Sequence, residues 1–305
     1  MQHRNRPLVF CFLLLTAYIF CGAQPLEITD DSITIHFDTG HERFVRHILP
    51  LFKNDRLDFL NRLGVYPEIP VQINIAPNRN TYREWTAQPG GIIEYSSGFY
   101  HPSSGTIYLS PPDGLKSVEN IRRIILHEYI HHFVNYLFPD APLWFHEGMA
   151  QYYSEGVGYF RLFGFAKDYF LGNTQSLRNM RKHYPQHKVQ WFPFYVKSAL
   201  AVHYMASQFP RRYNSLWDRA RVGQSFEPAF IRAYMMPIAS FEAGFESYLK
   251  KRVRIQMLFS ASSIIWGFLP FLLLIAWTRK KIKGYYIKKR WESEDSREII
   301  EITDD

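Results

Sequence analysis

The chain has 305 residues, 47% of them hydrophobic and 17% aromatic, with a formal net charge of +8. With no low-complexity tract and no internal repeat, that composition excludes a disordered chain or a repeat array and leaves enough residues for one sizeable or two-lobed core. Both cysteines, Cys11 and Cys21, lie in the opening apolar segment, so the remainder can use neither a disulfide framework nor a thiolate metal site.

Met1 to Ala23 carries basic residues at Arg4 and Arg6, an apolar run from Leu8 to Phe20, and small residues at Gly22 and Ala23. The pattern predicts a secretory signal peptide over 1–23. A retained signal anchor is the alternative, against which the run is short for a membrane span. The folded part is expected over 24–254, as an α+β lobe at 24–116 followed by a mainly helical part at 117–254.

Ser32–Phe37 and Val71–Ile75 alternate apolar and polar residues and are rich in β-branched side chains, which predicts strands. His41–Leu63 has helical spacing, interrupted or kinked at Pro50 and stopped by Gly64, and Thr81–Ala87 suits a short helix. Turn signals between Gly90 and Ser110 flank Ile92–Tyr95 and Thr106–Ser110, which predicts a hairpin-like pair of strands. Together these make a small mixed sheet with helices.

The next element is a helix with Ser117 as N-cap, Glu119 in its first turn, apolar residues at Ile121, Ile124, Ile125 and Ile130, and Pro139 beyond its end. It carries His127-Glu128-Tyr129-Ile130-His131, the H-E-x-x-H pattern of a helical zinc site. Four residues is slightly more than one turn, so His127 and His131 project from one face and two imidazoles can reach one ion. Glu128 then stands beside the metal, where its carboxylate can take a proton from bound water. A catalytic zinc needs a third protein ligand. Asp140 and Pro142 open a second helix, and a short connection folds it back so that Glu147 arrives near the two histidines. His146 is the rival third ligand and His132 a weaker one. Gly148 and Ala150 permit close packing. The metzincin pattern fails, because Val134 and Leu137 stand where it needs Gly and His.

His127-Glu128-x-x-His131 followed by Pro142-x-Trp144-Phe145-x-Glu147-Gly148-x-Ala150 resembles the gluzincin metallopeptidases, most closely the small peptidase MA-like family. The resemblance extends more weakly from about Leu26 to Lys250. It implies that His127, His131 and Glu147 are ligands of Zn2+ and that Glu128 is the general base. Gln151 departs from it, since relatives often carry an acidic residue there to support a ligand. The resemblance further implies that the strand before the zinc helix, Gly105–Ser110, is an edge on which an extended peptide aligns; an ordinary internal strand is the equal alternative. His101 and Tyr100 precede it in a loop that can line a cleft.

Phe194–Gln208 and Ala239–Val253 have helical spacing, with Ser215–Arg221 a shorter candidate. In related peptidases a tyrosine or histidine of this region donates to the developing oxyanion. Tyr195 is the candidate, with His203 behind it, and a packed residue is the bland alternative for each.

Met257–Thr278 is an uncharged apolar run that predicts a transmembrane helix over 257–278. The basic cluster Arg279 to Arg290 then places the tail, 279–305, in the cytoplasm and the peptidase domain outside it, in the periplasm if the cell is bacterial. Much of the positive charge flanks this run, so nucleic acid is not an expected partner. The expectation is a membrane-anchored zinc metallopeptidase acting on a peptide or protein substrate, tethered by one C-terminal span. The alternative is a membrane-anchored binding or assembly protein that keeps the fold without turnover.

Overall fold

The computed structural model describes residues 26–87, 97–112 and 117–303, and at 159, 256–267 and 292–303 the backbone alone. The segment 1–23 and the strand expected at Ile92–Tyr95 lie outside the described residues.

Strands β1 (Leu26–Asp30), β2 (Ile33–Phe37), β3 (Val71–Ile75), β4 (Gly98–His101) and β5 (Thr106–Leu109) form one mixed sheet in the order β1-β2-β3-β5-β4. β2, β3 and β5 run parallel, while β1 and β4 pair antiparallel to β2 and β5. Parallel neighbours need a long crossover, and helix α1 (Glu42–Leu63) supplies it between β2 and β3. Pro50 sits inside α1, and Gly64, at φ 68°, ends it in the left-handed conformation that glycine adopts without strain. The strand order decides between the two readings of Gly105–Ser110: β5 lies between β3 and β4, so the strand is internal and not an edge, and β4 and β1 are the two edges of the described sheet.

Helix α2 (Arg79–Thr86) is capped by Asn78, whose side chain accepts from the Asn80 and Thr81 amides. Helix α3 (Val118–Leu137) begins as its sequence requires, with the Ser117 hydroxyl accepting from the Asn120 N–H at 3.2 Å. It packs against α1, the β4–β5 pair and α4 (Leu143–Ser154). The seam is aromatic: the Phe59 ring meets the Phe133 ring edge-on at 5.0 Å and the Tyr129 ring at 6.1 Å. Phe59, Tyr129 and Phe133 are all buried, and burying each such side chain contributes roughly 2 kcal/mol. Asp140 does not cap α4 as expected. Its carboxylate accepts instead from the Phe226 N–H, at 2.8 and 3.0 Å, at the start of α8 (Phe226–Tyr234).

α4 is clasped between α3 and α6 (Trp191–Gln208). A Cβ at Gly148 would stand 2.7 Å from Val202 Cγ2 and closer still to the Ser198 carbonyl oxygen, so only glycine lets these helices approach to this depth. α5 (Tyr159–Phe170), α7 (Pro210–Arg221) and α8 complete the helical part. A single cluster of buried side chains runs from Ile33 to Val253 and joins the sheet to the helices. The fold is a mixed α+β arrangement around a five-stranded sheet.

The last helix corrects the expected architecture. α9 (Ile238–Thr303) continues without a break through Val253 and Pro270. No described helix is long and apolar enough to cross a membrane. The transmembrane helix at 257–278 falls on this finding. Single-pass anchoring rested on that span and falls with it, and so do the cytoplasmic tail at 279–305 and the extracytoplasmic placement of the peptidase domain argued from the charge flanking the span.

Candidate metal centre

α3 presents His127, Glu128 and His131 on consecutive turns, and the α3–α4 connection turns Glu147 toward them. His127 Nε2 and His131 Nε2 are 3.1 Å apart. Glu147 Oε2 lies 3.9 Å from the first and 3.7 Å from the second. Four-coordinate zinc bonds of about 2.0–2.2 Å place neighbouring ligand atoms about 3.3–3.6 Å apart, and the observed spacings bracket that range. Ligand atoms from His127, His131 and Glu147 all lie within 4.8 Å of one another, so this group can hold a metal ion. Among the described residues no other such group of three forms. His146 stacks near His131 at 6.3 Å between ring centroids and stays outside the group. His132 is turned away, with Nε2 at 2.9 Å from the Pro70 carbonyl oxygen.

The polar atoms around the centre indicate what it is built to hold. Glu147 Oε1 accepts from the Tyr184 hydroxyl at 2.5 Å, while Oε2 is buried and has no hydrogen-bond partner among the described residues. A buried acceptor facing two imidazole nitrogens with nothing donated to it is the position a cation fills. The tautomer of His127 also fits. The Ser154 hydroxyl donates to the Ala150 carbonyl at 2.6 Å, which leaves its oxygen to accept from His127 Nδ1–H at 3.4 Å and the Nε2 lone pair to face the centre. Gln151 does not take the part of the acidic residue it replaces, because its Oε1 accepts from Arg161 at 2.6 Å.

Burial drives the site's protonation. It holds His127 well below the ordinary histidine range, with the His131 and Arg161 charges adding to the effect, and lowers His131 to about 4. It pushes Glu147 up to about 7, against the Tyr184 hydrogen bond. Glu128 rises to about 8 through burial and the Glu147 charge, opposed by a hydrogen bond from the Tyr100 backbone. The histidines are therefore neutral, as ligands must be, and a divalent cation is the charge that would ionise both carboxyls.

Tyr195 reaches this neighbourhood from the first turn of α6, and burial followed by the charges of Glu147, Glu128 and Glu155 raises its pKa, which keeps its hydroxyl a proton donor. His203 packs against Tyr152, at 5.7 Å, with burial lowering its pKa. Tyr100 is not in a loop: it lies in β4, where its hydroxyl accepts from Asn135 at 3.1 Å, while His101 Nδ1 pairs with the Ser104 hydroxyl at 3.2 Å. Sequence reasoning missed Tyr184 and Ser154. Ser154 falls two turns after Glu147 on α4, a spacing that could have raised it; Tyr184 stands in an irregular segment with no periodic signal. No protein-family model and no curated protein matches the chain, so the likeness to gluzincins rests on the motif residues themselves.

Proposed function

We propose that the chain is a zinc metallopeptidase of the gluzincin type, with His127, His131 and Glu147 as ligands and Glu128 as general base. The observation that carries this reading is the unpartnered Glu147 Oε2, buried opposite two neutral imidazoles and beside a second buried carboxyl. Zinc held by His127, His131 and Glu147 would supply Lewis acidity, lowering the pKa of a bound water toward ~7 and polarising a carbonyl.

The chain's own residues do the rest. Glu128, fixed by the Tyr100 backbone, takes the proton of the attacking water and passes it to the leaving nitrogen. Tyr195, protonated at all working pH, donates to the oxygen that gains charge. β4 is one of the two edges of the described sheet, and its Tyr100 amide points to Glu128, so a peptide laid along that edge would pass the base.

The test is hydrolysis of a mixed peptide library by the zinc-loaded full chain, with Glu128→Gln as control. Cleavage by the wild type, reduced about 100-fold or more in a variant that still holds zinc, supports the reading. Zinc binding without cleavage of any peptide would favour a binding protein that keeps the fold.

A further inference from the structure

Glu147 has two oxygens, and only one of them faces the histidines. We propose that Tyr184 is a positioning residue that fixes Glu147 as a one-oxygen ligand, holding Oε1 so that Oε2 alone is offered to the cation; this rests on the metal-site reading above. The Tyr184 hydroxyl donates to Oε1 at 2.5 Å, while Oε2 has no hydrogen-bond partner and stands 3.7 Å from His131 Nε2. A carboxylate free at both oxygens can move between one- and two-oxygen coordination. A donor committed to one oxygen removes that choice and sets the rotamer of the other.

Tyr184 is held firmly enough to do this. Its ring stacks on Trp191 at 5.5 Å and an interplanar angle of 13°, and leans on Phe194 at 5.7 Å. The segment before it is tied to α9, where Arg181 donates to both oxygens of Glu242 at 2.8 and 2.7 Å. Tyr184 keeps 43% of its surface exposed, so loss of its hydroxyl alone leaves the core intact. Tyr195, by contrast, makes no hydrogen bond to Glu147 among the described residues, so the two tyrosines divide the work.

Cobalt(II) titration of the full chain reads both affinity and coordination, because the visible absorption of cobalt weakens as its coordination number rises. Tyr184→Phe keeps the ring stack. It should bind cobalt about 10–100-fold more weakly, with a changed absorption spectrum, while the metal-free protein melts as the wild type does. Equal affinity and an identical spectrum would overturn the assignment. So would a weaker affinity accompanied by an equal loss of metal-free stability, which would make Tyr184 a support of the fold. A wild type that takes up no cobalt would remove the metal site itself and this inference with it.

Discussion

Two buried carboxylate clusters, less than a helix apart in the fold, are built in opposite ways. On α9, Glu242 is 3% exposed and both its oxygens are in use: Trp144 and Arg181 donate to Oε1, and Arg181 to Oε2. Beside it Glu246 receives the Leu177 N–H at 3.0 Å and Lys197 Nζ at 2.7 Å. At the candidate metal centre Glu147 is 2% exposed, yet among the described residues one oxygen has no donor and no lysine or arginine pairs with it. A buried carboxylate that is paired and hydrogen-bonded is satisfied within the chain, whereas one left half-satisfied is neutralised by a proton or completed by a cation. The contrast separates a carboxylate satisfied within the chain from one that a metal ion could complete.

Removing Glu242 should sharpen the contrast most. Glu242→Ala leaves Arg181 without its carboxylate and Trp144 Nε1 without its acceptor, and should cost about 3 kcal/mol in denaturant unfolding, the lower end for a broken buried pair because Arg181 is partly exposed. Its metal stoichiometry should stay that of the wild type. A variant as stable as the wild type would remove Glu242 from its structural role.

Ser154→Ala probes the other cluster more gently. The hydroxyl accepts from His127 Nδ1 at a long 3.4 Å, so its loss should weaken metal binding by about tenfold, near the lower end for an outer partner of a ligand, in a chelator-competition titration. Unchanged affinity would mean that nothing beyond the ring's packing orients His127.

Lys197 gives the smallest effect and a sign. It is 2% exposed, and burial lowers its pKa from 10.5 despite the Glu246 charge. With the folded pKa below the unfolded one, the unfolded chain binds more protons between those values, so stability rises with pH there. Relative to Lys197→Met, the wild type should gain stability as pH is raised toward the ordinary lysine value of 10.5; a difference that stays flat or falls there would contradict the burial account.

The two regions were also unequally legible in the sequence. His127 and His131 could be placed on one helical face because their spacing alone dictates it, and Ser117 and Pro139 bracketed the helix. Glu147 followed from a short connection and a resemblance, and the structure brings its carboxylate to the histidines. Tyr184 could not be read, since its place depends on Arg181 meeting Glu242 across 61 positions of chain. The position of β5 stayed undecided between edge and interior, because strand order is set by pairing partners and not by alternation. α5 escaped notice because Gly164 interrupts it and apolar residues surround it, and α8 because Pro228 stands in its first turn. α9 was divided at its charged stretch from Lys250 to Arg254, although a helix tolerates such residues wherever one face is solvated.

The central claim is that the half-satisfied carboxylate is a cation ligand, and metal analysis of the full chain tests it without knowledge of any substrate. After zinc reconstitution and removal of loosely bound ion, the wild type and Glu242→Ala should each retain one zinc per chain, and Glu147→Ala should retain none. A folded wild type without zinc, or a Glu147→Ala variant that still holds it, would contradict the account.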